Sequence, residues 1–317
     1  MLYDLLKVPS RLALHFYCRK IVVNNERFLD MKGPLLIAAN HPNSFLDAII
    51  LSTLFKFRIH SLARGDAFAG KWTTKFLRKM NMLPVYRVSE GIENLGHNYT
   101  TFDSCQKLFQ EKKIVLIFSE GRCINEWKLR RLKKGTARLS LAAWQLNIPL
   151  KVIPLGINYS SFRKFGKTIH LNFGEVIGEK DMYEDLASGK AIIEFNEKLN
   201  KQLKQLVYEI PKGDDAKLQS YFLNRQPLLK KIILFIPAVA GFILNAPLYF
   251  VIHFIIKKIS KDHYDSVMIS LLILFYPLYV IGISLLLLYI TKSYFASLLL
   301  IIMPFTLWSY LQLKKPY

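Results

Sequence analysis

Cysteine is scarce in this chain. Cys18, Cys105 and Cys123 are the only thiols among 317 residues, and an odd, widely spaced set builds no disulfide framework. Cys18, next to Arg19, reads either as a lipidation site or as a buried, idle thiol. Zinc-finger spacing and the aromatic signatures of RNA-binding modules are missing, so no nucleic-acid partner is expected. No Walker or Rossmann glycine pattern offers a nucleotide cradle. His60 and His97 have no second ligand at useful spacing, which argues against a metal centre. The first apolar residues are interrupted by Asp4, Lys7 and Arg11, so no secretory leader is expected. Internal repeats are absent. Negative charge is the last shortage: 23 acidic residues face 44 Lys and Arg, for a net charge of +21. That excess suits an anionic membrane surface, or acidic substrates and carrier proteins. A hydrophobic fraction of 52%, with long apolar runs late in the chain, favours the membrane.

Most of the readable chemistry sits in Asn40-His41-Pro42-Asn43-Ser44-Phe45-Leu46-Asp47. Pro34 to Ala38 precedes it as a short buried strand, and Ala48 to Phe55 follows as helix. A His and an Asp thus share a strand-to-helix turn, where α/β sheets keep their chemistry. Imidazole takes a proton near neutral pH, and a carboxylate on its other nitrogen fixes the tautomer. The pair lacks a nucleophile of its own, which a substrate hydroxyl can supply. The competing reading is structural: Ser44-x-x-Asp47 is also a capping box, which leaves His41 idle. These residues alone leave both readings open.

Further blocks follow in order. Pro84-Val85-Tyr86-Arg87 ends an apolar run, and Ile114 to Phe118 is a strand that enters Ser119-Glu120-Gly121-Arg122. Lys133-Lys134-Gly135-Thr136-Ala137 opens a helix, and Val152-Ile153-Pro154-Leu155-Gly156 is another strand. Together these blocks resemble the glycerolipid O-acyltransferase family over residues 30–180. That family's blocks are Asn-His-x4-Asp, a block ending in Arg, Phe-Pro-Glu-Gly-Thr-Arg and a Val-x-Pro strand. Here five residues separate His41 from Asp47, which resembles the subgroup that includes fungal acyltransferases for glycerol 3-phosphate and dihydroxyacetone phosphate. On one continuous helix such a pair would face different ways, so the helix has to begin after His41. Ser119 replaces the family's Pro and Arg122 its Thr, with the Glu-Gly core intact.

The resemblance implies an α/β fold, a mixed sheet flanked by helices. It also implies acyl transfer from acyl-CoA or acyl carrier protein as co-substrate, without a cofactor. His41 would act as base and Asp47 would orient it, while Arg87, Glu120, Gly121 and Arg122 would hold the acceptor. Glycerol 3-phosphate or dihydroxyacetone phosphate is the first acceptor reading, and lysophosphatidate or another lysolipid the second. A hydrolase and a non-catalytic membrane lipid-binding protein are the remaining readings.

In chain order, residues 1–20 read as an amphipathic helix, either lying in a membrane interface or packed on the domain. Residues 21–210 form the expected catalytic domain. The segment 68–80 reads as a helix mixing Lys71, Lys75, Arg78 and Lys79 with Trp72, Phe76 and Leu77. The Pro149 and Pro154 strand is expected at an edge or bulge. Residues 211–229 form a polar linker, and 230–317 a membrane region with C-terminal transmembrane helices. Ile232 to Ile256 carries no charge, enough helix for roughly 37 Å. Asn245-Ala246-Pro247 interrupts it and lysine pairs flank both ends, which favours a re-entrant hairpin over a full span. Spans 267–290 and 294–313 would then cross and return. A bacterial inner membrane, with the catalytic domain on the cytoplasmic side and anionic lipids as partners, is the expected location.

Overall fold

The computed structural model describes residues 2–86, 96–223, 226–259 and 264–314. Helix α1 (Leu2–Tyr17) leads without a break into strand β1 (Cys18–Val23). The expected helix therefore stops at Tyr17, and the sheet begins earlier than residue 21. Arg19 and Lys20 fit a helix-surface pattern, but here they belong to an edge strand paired with the last strand of the sheet.

Strand β2 (Leu35–Ala39) is buried along its whole length and feeds helix α2 (Phe45–Leu54). Next come β3 (Ile59–Arg64), α3 (Lys71–Lys79), β4 (Met82–Val85), α4 (His97–Gln110), β5 (Ile114–Phe118) and α5 (Gly135–Gln145). Strands β6 (Lys151–Tyr159) and β7 (Lys167–Phe173) and helices α6 (Gly189–Leu206) and α7 (Asp215–Phe222) complete the unit. The sheet runs β1-β7-β6-β2-β5-β3-β4. Only the β6–β7 pair is antiparallel, so the sheet is mixed and its centre is parallel, as the continuous apolar runs require.

Alternation along the central strands feeds two cores. Leu35, Ile37 and Ala39 face one side with Ile114 and Leu116, under α1 and α2. Leu36 and Ala38 face the other with Val115, against Leu139 of α5 and Phe195 of α6. Each such Leu, Ile or Val, fully buried, contributes about 1.5–3 kcal/mol, and both faces being covered explains why β2 and β5 are continuous apolar runs.

The prolines of β6 do not push it to an edge. It lies between β7 and β2. Its pairing with β7 runs from Leu155 opposite Phe173, so Pro154 stands at the end of that ladder, where its missing N–H leaves out a single terminal bond. The Pro154 carbonyl still accepts from Gly174 N at 2.9 Å.

The C-terminal part is three helices: α8 (Leu228–Ile259), α9 (Tyr264–Thr291) and, after a short 3-10 turn, α10 (Leu299–Leu313). Helix α8 passes through Pro237 and Pro247 without turning back, which overturns the re-entrant hairpin. Side chains bond the backbone near Pro247: Tyr279 Oη donates to Leu244 O at 2.7 Å, and Asn245 Nδ2 donates to Gly241 O at 2.8 Å. Gly241 lets α10 approach closely, since a Cβ there would stand 2.1 Å from Thr306 O. Segments Leu228–Ile256, Tyr264–Thr291 and Tyr294–Leu313 are each long and apolar enough to cross a membrane. Their outward faces leave Ile236, Phe250, Phe254 and Leu278 exposed, a surface suited to lipid.

The remaining helices show the same preference. Helix α1 buries Tyr3, Leu14 and Tyr17 but leaves Leu5, Val8 and Leu12 exposed. Both readings of this helix therefore have a face each. Helix α3 buries no residue at all, and its Trp72 is 85% exposed.

Candidate active site

The turn between β2 and α2 is held before any side chain reacts. Asn40 uses both ends of its amide on one residue of β6: Nδ2 donates to Ile157 O at 3.1 Å, and Oδ1 accepts from Ile157 N at 2.7 Å. This extends the β2–β6 ladder past Ala39 and fixes where His41 leaves the sheet. Helix α2 begins only at Phe45, so the extra residue lies in the turn rather than on the helix.

His41 Nδ1 meets Asp47 Oδ2 at 2.9 Å, with the imidazole 15% exposed and the carboxylate fully buried. A carboxylate partner accepts, so in the neutral ring the proton belongs on Nδ1 and the lone pair on Nε2. Asp47 Oδ2 also accepts from Asn43 N at 2.9 Å, and Oδ1 accepts from Tyr159 Oη at 2.6 Å. Burial and the nearby Asp47 carboxylate raise the Tyr159 phenol well above its ordinary range, so it stays a donor. The His41 ring stacks on Phe118, with centroids 3.8 Å apart and planes 10° from parallel.

The capping-box alternative fails on the same coordinates. The Ser44 side chain makes no capping bond to α2, and Ser44 N donates to Cys123 Sγ at 2.8 Å rather than to Asp47. Asp47 is instead spent on His41, Asn43 and Tyr159. Cys18 is buried, its thiol pushed up to about 12 by that burial. This leaves no accessible thiolate for lipidation.

Glu120 lies beneath the turn at 5% exposure. Its Oε2 accepts from His41 N and its Oε1 from Arg130 N, each at 2.8 Å. Burial holds its carboxyl above the usual range, and these two backbone donors pull the other way. Gly121 follows at φ +65°, a left-handed position that favours glycine. The next residues clasp the turn: Ile124 N donates to His41 O at 3.3 Å, and Asn125 Nδ2 to Pro42 O at 2.8 Å.

His41, Phe118 and Gly121 line a cleft of about 650 Å³, its open mouth included, with Leu62, Val85 and Ile117 as apolar wall. Arg64, Lys133 and the first residues of α5, Gly135 and Thr136, also line it. Helix N-termini and cations together favour anions. So the cleft offers a base, an apolar wall and a positive rim.

Residues 20–158 match the family model described as acyltransferase. They form an acyltransferase-family domain. A curated 1-acyl-sn-glycerol-3-phosphate acyltransferase of Bacillus subtilis (strain 168) is 27% identical over 187 residues, covering 59% of this chain and 87% of that relative. The crystal structure of the 1-acyl-sn-glycerophosphate acyltransferase PlsC of Thermotoga maritima superposes with a TM-score of 0.42 at 11% identity, covering 63% of this chain and 79% of that one.

Within the acyltransferase domain, His41, Asp47, Glu120 and Gly121 come together around the turn. Arg122 is exposed and does not line the cleft. Arg87 lies outside the described residues, two positions after the cleft residue Val85. Sequence reasoning gave no site role to Tyr159, Phe118 or Arg64, and Lys133 entered it in the block that opens a helix. Tyr159 carried no local signal, because only the β6–β2 pairing brings it to Asp47.

Proposed function

We propose that this chain is a membrane-bound acyltransferase that moves a fatty acyl group from an acyl thioester to a hydroxyl of a glycerol phosphate lipid, with 1-acylglycerol 3-phosphate as acceptor. The observation that carries the reading is the His41–Asp47 pair opening on a cleft with one apolar wall and one cationic rim. The relative's name supports the choice of acceptor.

In this reading His41 Nε2 removes the proton of the acceptor hydroxyl as its oxygen attacks the thioester carbonyl. Asp47 stabilises the imidazolium that forms, and the thiolate of the carrier leaves. Positioned proton transfer of this kind contributes about 10²–10⁴-fold in rate. Glu120 works through the backbone, holding His41 N and so the angle at which the ring enters the cleft. Lys133, Arg64 and the start of α5 receive the acceptor phosphate, with Arg87 and Arg122 assigned the same task by resemblance. Acyl-CoA or acyl carrier protein supplies the acyl group, and no metal or redox cofactor is assigned. The three apolar helices anchor the enzyme in a bacterial inner membrane, with the basic domain on the cytoplasmic, anionic side.

The five-residue spacing keeps a second acceptor in view, glycerol 3-phosphate or dihydroxyacetone phosphate. Purified full-length protein in nanodiscs, given radiolabelled palmitoyl-CoA and each acceptor in turn, decides the matter. The proposal expects the highest kcat/KM with 1-acylglycerol 3-phosphate. A preference for glycerol 3-phosphate would replace the acceptor, and free fatty acid as sole product would replace the transferase with a hydrolase.

A further inference from the structure

The catalytic turn is not held by the acyltransferase domain alone. Asn43, inside the turn, donates from Nδ2 to Asp265 Oδ2 at 2.6 Å. Leu46 N donates to Ser266 Oγ at 3.1 Å. Both acceptors sit in the first turn of α9, an apolar helix long enough to cross a membrane.

These bonds reach the start of α2 from another element. The first N–H groups of a helix need outside acceptors. In α2 the N-cap residue Ser44 has φ 53° and no capping bond, a left-handed conformation that costs a non-glycine residue energy. Ser266 therefore caps α2 from another element. Asp265 is anchored in turn: Tyr17 Oη and Lys167 Nζ both donate to it, and both side chains are fully buried. A buried ion pair is no default stabiliser, since apolar side chains of similar volume often serve a core as well. What this pair does is fix an acceptor beneath Asn43, whose own N–H binds the Asp47 carboxylate.

We propose that Asp265 and Ser266 are positioning residues for the His41–Asp47 pair, so that docking of α9 against the domain sets the rate of acyl transfer. When α9 is docked, Asn43 and Leu46 are satisfied and Asp47 is held under the imidazole. When it withdraws, Asn43 loses its acceptor and α2 its cap, and the pair loosens. This rests on the reading of His41 as the base.

The test uses the full chain in phosphatidylethanolamine and phosphatidylglycerol nanodiscs. Donor and acceptor are whichever of palmitoyl-CoA or palmitoyl carrier protein, and of 1-acylglycerol 3-phosphate or glycerol 3-phosphate, the unaltered chain uses fastest. Rates are normalised to folded protein by size exclusion and thermal melting. Ser266→Ala is expected to lower kcat about three- to tenfold, the rate equivalent of one lost hydrogen bond. KM values should move less than about twofold, since only transition-state geometry is lost. Ser266→Thr, which keeps the hydroxyl, should restore kcat. Asp265→Asn combined with Lys167→Met keeps the buried site neutral, and it should lower kcat by about tenfold or more.

Wild-type kcat per folded molecule in both Ser266→Ala and the double variant would overturn the proposal, whatever their yield or melting temperature. His41→Ala separates the two readings. If it keeps normal activity, the base assignment has failed; if it is inactive while the α9 variants are normal, only the role of α9 has failed.

Discussion

Two parts of one cleft are built in opposite ways. Around His41 and Asp47 the imidazole Nδ1, the His41 backbone N–H and both carboxylate oxygens have fixed partners, supplied within the pair and by Asn43, Tyr159 and Glu120. At the mouth, Lys133 is exposed, and Arg64 pairs with Asp66 on the surface. The first region is over-determined and buried, and the second is carried by exposed side chains. The contrast teaches that proton transfer demands a fixed geometry, while an anionic headgroup can be held by mobile cations. Substitutions in the two regions should therefore divide between kcat and KM.

The largest expected effect is Asp47→Asn. It keeps the shape of the side chain but turns one carboxylate oxygen into a donor, so the imidazole loses its tautomer. A fall in kcat of about 10²–10⁴-fold is predicted, with the folded yield preserved. Steady-state kinetics in nanodiscs checks it, and a fall below tenfold would break the comparison.

Glu120→Gln comes next. It removes one acceptor and leaves a buried N–H unpaired, for a stability loss of about 1–3 kcal/mol. Its pH signature sharpens the point. Burial raises the Glu120 carboxyl from 4.5, and the Arg130 and His41 N–H groups oppose that only in part. The folded chain thus binds this proton more tightly than the unfolded chain does. The associated stability is full below about 4.5 and is lost as pH rises through the folded value. Thermal melts of Glu120→Gln should lack that downward slope, and an unchanged slope would place the titration elsewhere.

Tyr159→Phe deletes one hydrogen bond to Asp47 Oδ1 and nothing else. About a fivefold loss of kcat at unchanged KM is expected, read in the same assay. Lys133→Ala is the smallest, about a threefold rise in KM for the phosphate acceptor with kcat unchanged, as befits an exposed charge. Should Lys133→Ala lower kcat instead, the cationic rim would belong to the fixed region after all.

The central parallel strands were legible because Leu35 to Ala39 and Ile114 to Phe118 are uninterrupted apolar runs bounded by polar turns. The His41–Asp47 pair was legible as two chemical types on one turn, although their contact depends on where α2 begins. Other features lie in pairings between distant residues. Arg19 and Lys20 hide an edge strand whose partner is β7, and Pro154 sits inside the sheet at the end of the β6–β7 ladder. Helix α8 runs on through Pro237 and Pro247, although either proline reads in the sequence as a break. Asp265 did leave a trace, an acidic group at the foot of an apolar run. Its partners Asn43 and Lys167 become visible only once the chain is folded.

The most direct test is the acyl-transfer rate of full-length His41→Ala, purified in nanodiscs and compared with unaltered protein at matched folded concentration. The account predicts a loss of about 10³-fold or more in kcat with an unchanged melting temperature, since the base is gone and its scaffold remains. Retention of more than about a tenth of the rate, with the fold intact, would contradict it, because that is less than the smallest contribution expected of a positioned base.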